Sequence, residues 1–182
     1  MRYGHVMLGA AAAALAGGVV LAQGQSGMKA HADIKGEGVT GRAELVERGT
    51  GLDRIVELRV TASGLKPGRH GVHLHQTGKC EAPFTSAGGH FDPGPASNTD
   101  PDANHPFHMG DIPNLEVGQD GKGTLEAVTT RVTLSSGPLS IFDDDGTAII
   151  IHVNEDQGIT GAPKSGVSGG PRAACGVFMK GQ

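Results

Sequence analysis

Glycine and proline restrict what this chain can fold into more than any motif does: 31 glycines and 10 prolines in 182 residues leave few long uninterrupted segments. Both residues are costly inside a helix and at home in turns, proline because it lacks an N–H and glycine because it loses the most entropy on ordering. What lies between these breaks is short and alternates apolar with polar residues, the period of a strand. Met28–Ile34 and Val39–Val46 alternate on either side of Gly36-Glu37-Gly38, and Leu52–Thr61 runs into the turn Gly64-Leu65-Lys66-Pro67-Gly68. Arg69–Gln76, Leu115–Val117 and Thr124–Leu134 follow, then the continuous apolar run Ala148–Val153 and a closing segment Cys175–Met179. No amphipathic helical period emerges. The expected architecture is all-β, about eight short antiparallel strands in a sandwich or barrel. Two segments without periodicity, Thr77–Met109 and Asn154–Pro171, are expected to be long loops, and loops of that length in a compact domain tend to carry function.

Composition removes one class of partner. With no Trp, one Tyr and a formal net charge of -4, the chain has neither the stacking platform nor the basic surface that nucleic acid requires. The N-terminus carries a different signal. Arg2 is followed by the apolar, Ala-rich run Val6–Leu21 and the small-residue pattern Val20-Leu21-Ala22, which predicts a cleavable signal peptide over residues 1–22 and a mature domain over 23–182. The mature protein is expected in the periplasm or secreted, with no stable membrane insertion after cleavage. Its two cysteines, Cys80 and Cys175, are expected to pair in that oxidising compartment.

The histidines are the chemically informative residues. One of the nine, His5, lies in the leader, and six of the others sit in or beside the two long loops. His73 and His75 flank Leu74, so on a strand they project from one face while Val72 and Leu74 project from the other. His90 follows Gly88-Gly89, where missing side chains let the backbone approach closely. His105, His108 and Asp111 recur at intervals of three, a donor set suited to zinc, and His152 ends the run Ile149-Ile150-Ile151. These seven ligands are one short of two four-coordinate sites. An imidazole shared through its two ring nitrogens closes the gap, and His90 lies between the groups in sequence. The reading assigns His73, His75, His90 and His152 to copper and His90, His105, His108 and Asp111 to zinc.

The segments Leu65-Lys66-Pro67-Gly68-Arg69-His70-Gly71-Val72-His73-Leu74-His75 and Gly169-Gly170-Pro171-Arg172-Ala173-Ala174-Cys175-Gly176-Val177 resemble the two signatures of the copper/zinc superoxide dismutases. Gly88-Gly89-His90-Phe91-Asp92-Pro93 and His108-Met109-Gly110-Asp111-Ile112-Pro113-Asn114-Leu115 are similar to the family's bacterial branch. The resemblance implies an eight-stranded antiparallel Greek-key β-barrel with two long functional loops, a Cys80–Cys175 disulfide, and disproportionation of superoxide by a homodimer or monomer. By position it makes Arg172 the arginine beside copper, His90 the bridge, Asp156 the carboxylate that hydrogen-bonds a copper and a zinc ligand together, and His70 a structural histidine. Lys164 is a further candidate for anion steering. One departure concerns zinc: the family's middle zinc histidine stands near Ala96-Ser97-Asn98-Thr99, and here His105 is the candidate instead. The rival reading is a copper-binding or copper-buffering protein on the same barrel, since fold does not fix function. Arg172 separates the two, because a storage protein has no use for an anion-guiding charge.

Overall fold

The computed structural model describes residues 27–94 and 98–181, so the expected signal peptide lies outside the described residues. Nine strands follow in order: β1 (Lys29–Gly36), β2 (Thr40–Arg48), β3 (Ile55–Ser63), β4 (Gly68–His75), β5 (Asp111–Val117), β6 (Lys122–Thr129), β7 (Ala148–His152), β8 (Arg172–Val177) and β9 (Met179–Lys180). Among the described residues there is no α-helix, only short 3₁₀ turns at Gly51–Asp53 and Thr85–Ala87, and no helix long and apolar enough to cross a membrane. The first eight strands close into one ring in the order β1-β2-β3-β6-β5-β4-β7-β8 and back to β1, every pairing antiparallel. The crossovers from β3 to β4 and from β6 to β7 make it a Greek-key barrel, and closure leaves the principal sheet no open edge.

The sequence boundaries differ from these where local chemistry intervenes. Leu52 belongs to a turn instead of β3, because Gly49 and Gly51 take positive φ and wind Gly51–Asp53 into 3₁₀ geometry. β6 stops at Thr129; Val132 and Leu134 are apolar because they bury as loop residues, with the Leu134 and Ser135 N–H groups donating to the buried Glu47 carboxylate. β5 starts four residues earlier than the apolar pattern indicates, at Asp111. The last strand divides at Phe178, whose N–H leaves the ladder to donate to Thr147 O.

The register explains why β7 has no polar face. Val72 pairs with Ile151 and Leu74 with Ile149, and all four face the barrel core with Phe91 and Leu115. His73 pairs with Ile150 and His75 with Ala148, on the outer face. That outer face is buried as well: Ala148, Ile150 and Cys175 form a second small core with Ala87, against which Cys80 and Phe84 pack. Both surfaces of the β4–β7 pair are therefore removed from water, one by the barrel and one by the loop between β4 and β5. Metal-type side chains on the outside of a barrel thereby become fully buried.

Cys80 and Cys175 form the disulfide, with Cα atoms 5.6 Å apart and a sequence separation of 95. It fastens that loop to β8. Replacing both cysteines by serine is expected to lower stability by roughly 2–5 kcal/mol, as losing a native disulfide from a small domain does. Urea denaturation with and without reductant checks this, and coincident midpoints would contradict it.

Candidate metal centre

Four imidazoles meet where β4, β7 and the first long loop converge. His73 and His75 come from β4, His152 from the end of β7, and His90 from the loop, brought in by an isolated antiparallel bridge to His75. Glycines permit this packing: a Cβ on Gly89 would lie 1.8 Å from Thr99 O of the same loop, and one on Gly88 2.6 Å from the Gln76 side chain just past β4. All four rings are buried, none more than 2% exposed.

In each ring one nitrogen is hydrogen-bonded and the other is not. His73 donates from Nε2 to Asp156 Oδ2 at 2.9 Å, His75 from Nδ1 to Gly88 O at 3.1 Å, His90 from Nδ1 to Asp111 Oδ1 at 2.7 Å, and His152 from Nδ1 to Gly170 O at 2.9 Å. These bonds leave His73 Nδ1, His75 Nε2, His90 Nε2 and His152 Nε2 buried without a partner. The four residues offer ligand atoms that lie within 4.8 Å of one another. Buried polar atoms are seldom left unpaired, and four lone pairs sharing one pocket match what a soft-to-borderline cation takes. Burial pushes His73 and His90 down to about 4 and His152 to about 3, and His75 well below its ordinary value, with neighbouring imidazoles and Arg172 adding to the effect. The rings are thus held neutral, the protonation state a metal ligand needs.

The second group surrounds Asp111. His90 Nδ1 and His108 Nδ1 donate to its two oxygens, at 2.7 and 3.0 Å, and His105 Nδ1 lies 3.3 Å from Oδ1. His105 also donates from Nε2 to Asp156 Oδ1 at 2.7 Å. Burial disfavours protonation of His105, but the carboxylates of Asp111 and Asp156 outweigh it and push this imidazole up to about 9. Burial would likewise raise both carboxyls, yet the histidine hydrogen bonds hold Asp111 and Asp156 well below the usual carboxylate range. A proton on His105 thus stands where a bound cation would neutralise the same acids. The tightest grouping here is His73, His90, His105 and Asp111, with His108 joining through the other oxygen of Asp111.

These shifts set the acid limit of the metal-free protein. His73, His75, His90 and His152 have folded values below the ordinary value near 6.5, so the stability they contribute is present above that pH and lost as it falls toward about 4 and below. His105 acts oppositely, its contribution complete below about 6.5 and lost as pH rises through about 9. Four groups against one make acidification the dominant effect. Thermal melting of metal-stripped protein should fall steadily between pH 7 and 4, and a flat profile would refute the burial of neutral rings.

Arg172 begins β8, in register with His152, and donates from Nη1 to Phe84 O and from Nη2 to Gly88 O. Gly88 O therefore holds both His75 and the guanidinium. Arg172, His152 and Lys164 line one cavity of about 600 Å³. His70 joins neither cluster; its ring nitrogens lie 2.8 Å from Lys66 O and His152 O, tying the β4 turn to the end of β7. Sequence reasoning missed Asn114, whose side chain accepts from Asp156 N and donates to Asp156 O, both at 2.8 Å. It also missed the carbonyls of Phe84, Gly88 and Gly170, which no side-chain pattern announces, and Asp102.

Comparison with known proteins follows the same lines. The family model described as copper/zinc superoxide dismutase (SODC) matches residues 39–178. A superoxide dismutase [Cu-Zn] of Deinococcus radiodurans is 42% identical over 131 residues, covering 66% of this chain and 68% of that one. The superoxide dismutase-like protein YojM of Bacillus subtilis is 39% identical over 132 residues, covering 70% and 64%. Among solved structures, a double mutant of a SOD-like protein from Bacillus subtilis superposes with a TM-score of 0.64 at 35% identity, over 81% of this chain and 95% of that one. With the closed Greek-key ring, the buried histidine clusters and a family match running from β2 to Phe178, this chain belongs to the copper/zinc superoxide dismutase family.

Proposed function

We propose that the chain is an exported superoxide dismutase that binds copper through His73, His75, His90 and His152 and zinc through His90, His105, His108 and Asp111. The observation that carries the reading is the set of four buried, unpartnered imidazole nitrogens grouped together, with one of their rings, His152, lining a cavity beside the held guanidinium of Arg172. His108 completes the zinc set in preference to His73, because His73 Nδ1 belongs with the copper nitrogens while its Nε2 is committed to Asp156. The reaction converts two superoxide anions and two protons into dioxygen and hydrogen peroxide. Bound copper supplies its one-electron chemistry, alternating between Cu(II) and Cu(I), which zinc cannot do.

The chain's own residues do the rest. Hydrogen bonds to Gly88 O, Gly170 O and Asp156 fix the tautomers of His75, His152 and His73, so each presents one lone pair to the copper set. Arg172 presents a permanent positive charge at the cavity wall, where it attracts and orients a small anion; burial lowers its pKa, but a guanidinium stays charged at any working pH. His90 faces the zinc set with Nδ1 and the copper set with Nε2, and Nε2, at times when it is not engaged by metal, is the atom that would take up a proton and pass it to the reduced substrate. Lys164, on the same cavity wall, adds to the field.

A copper-binding protein without dismutase activity is the second reading, favoured by the match to a relative named only as superoxide dismutase-like. Reconstitution with both metals followed by elemental analysis tests the two-site assignment. About one copper and one zinc per chain are expected, and His105→Ala should lower zinc retention while copper remains. Uptake of a single metal type, or unchanged zinc in that variant, would overturn the zinc set.

A further inference from the structure

Besides Asp111 and Asp156 of the candidate metal centre, two buried carboxylates among the described residues, Glu47 and Asp102, hold loops by accepting from backbone N–H groups, and of these two Asp102 is the one connected to that centre. Glu47 accepts from Leu134 N and Ser135 N, residues of neither metal set. Asp102, 4% exposed, lies in the first long loop and reaches across to the second: Oδ2 accepts from Gly166 N at 2.8 Å, and Oδ1 from Ser168 N at 3.1 Å and Ser168 Oγ at 2.8 Å. Its own backbone is fixed, with Asp100 Oδ1 accepting from the N–H groups of Asp102 and Ala103 and with Asp102 O accepting from Gly161 N.

From Ser168 the connection runs on to the histidines. Ser168 forms an isolated antiparallel bridge with Asp156, and the Asp156 carboxylate accepts from His73 Nε2 and His105 Nε2. One loop thereby carries Asp156 between a member of each metal set, and the other loop carries both His105 and the aspartate that holds Asp156's partner in place. A parallel tie, Thr160 Oγ1 donating to His105 O at 2.6 Å, joins the same two loops. Asp102 also lines the cavity that contains His152, Lys164 and Arg172. Its ionised state is favoured there: burial would raise its pKa, but the hydrogen bonds from Gly166 and Ser168 lower it below the ordinary value.

We infer that Asp102 is a positioning residue which, through Ser168 and Asp156, sets the orientation of His73 and His105 and so couples the geometry of the two metal sets. Asp102 touches none of the metal-set imidazoles through a hydrogen bond; its effect is transmitted by the placement of the second loop. Groups that hydrogen-bond a ligand directly, as Asp156 does with His73 and His105, typically change metal affinity by about 10–100-fold when removed, because they fix ring direction and tautomer; Asp102 acts one step further out, so its effect is expected at the lower end of that range. The inference rests on the metal assignments proposed above.

The test compares Asp102→Asn with Glu47→Gln in metal-loaded protein. Asparagine keeps the shape of Asp102 but turns an N–H₂ toward donors that the carboxylate accepted, either at Gly166 or at Ser168. Zinc affinity is measured by competition with a chromophoric chelator, and the copper site by the Cu(II) electron paramagnetic resonance spectrum. Asp102→Asn should weaken zinc about tenfold and alter the Cu(II) spectrum, while Glu47→Gln lowers the melting temperature and leaves both unchanged. Ser168→Ala, which removes one of the three donors and keeps the carboxylate, gives a smaller change of the same kind and serves if Asp102→Asn does not fold. Should Asp102→Asn or Ser168→Ala only lower the melting temperature, as Glu47→Gln does, Asp102 is a structural anchor and the inference is wrong. Wild-type protein that takes up neither metal would instead remove the functional reading, and this inference with it.

Discussion

Arg172→Ile is expected to cut superoxide turnover at least about tenfold while leaving copper and zinc contents intact. The guanidinium's hydrogen bonds go to Phe84 O and Gly88 O and not to an imidazole of either proposed metal set, and it lines the cavity shared with His152. Isoleucine preserves bulk and removes charge, so what is lost is attraction and orientation of the anion, effects that raise association rates by about 10–10³ in charged clefts. The variant should also show a flatter dependence on ionic strength than wild type, since the field being screened is weaker. The measurement pairs elemental analysis with superoxide decay across a salt series. Full activity at normal metal content would remove Arg172 from the mechanism and favour the copper-binding reading.

The second large effect is expected at Asp156. Its two oxygens accept from His73 and His105, a member of each set, and Gly158 N adds a bond to Oδ1. Asparagine can present only one acceptor oxygen, so one imidazole must lose its partner and its fixed tautomer. Asp156→Asn should therefore weaken zinc by about 10–100-fold. Copper should be retained more firmly, because three of the four ligands proposed for it, His75, His90 and His152, are oriented by other groups: Gly88 O, Asp111 and Gly170 O. Chelator competition for each metal separately reads both affinities. Equal losses of copper and zinc, or none of either, would show that Asp156 does not act between the two sets as described.

The sequence made some of this architecture legible and hid the rest for physical reasons. Strand alternation and glycine-proline breaks located the strands, because a half-buried strand must alternate. Placing His73 and His75 opposite Val72 and Leu74 followed from the same rule, and the register agrees with it. Boundaries were lost where a side chain is apolar for another reason. Leu134 is buried in a loop over Glu47, and Leu52 sits exposed in a 3₁₀ turn. Among the residues of the two clusters, the histidines and Asp111 stood out because their side-chain type alone suits a metal. Groups that hold them were mostly not. Gly88 O orients both His75 and Arg172, and a backbone carbonyl has no letter in a sequence. Asn114, in β5, and Asp102, in a loop, are ordinary polar residues until the fold places them beside Asp156 and Ser168. Only the resemblance pointed to Asp156, and its two histidine bonds became visible in three dimensions.

The central claim is that the copper set and Arg172 together consume superoxide, and following superoxide decay after a radiolytic pulse tests it most directly. Protein loaded with copper and zinc should remove superoxide at a rate proportional to its concentration, approaching the diffusional range of about 10⁸–10⁹ M⁻¹s⁻¹ and falling as salt is raised. The same protein with zinc alone should be inert. Copper-loaded protein of full metal content that removes superoxide no faster than the zinc-only form would contradict the account, leaving a family member that binds the metal without the reaction.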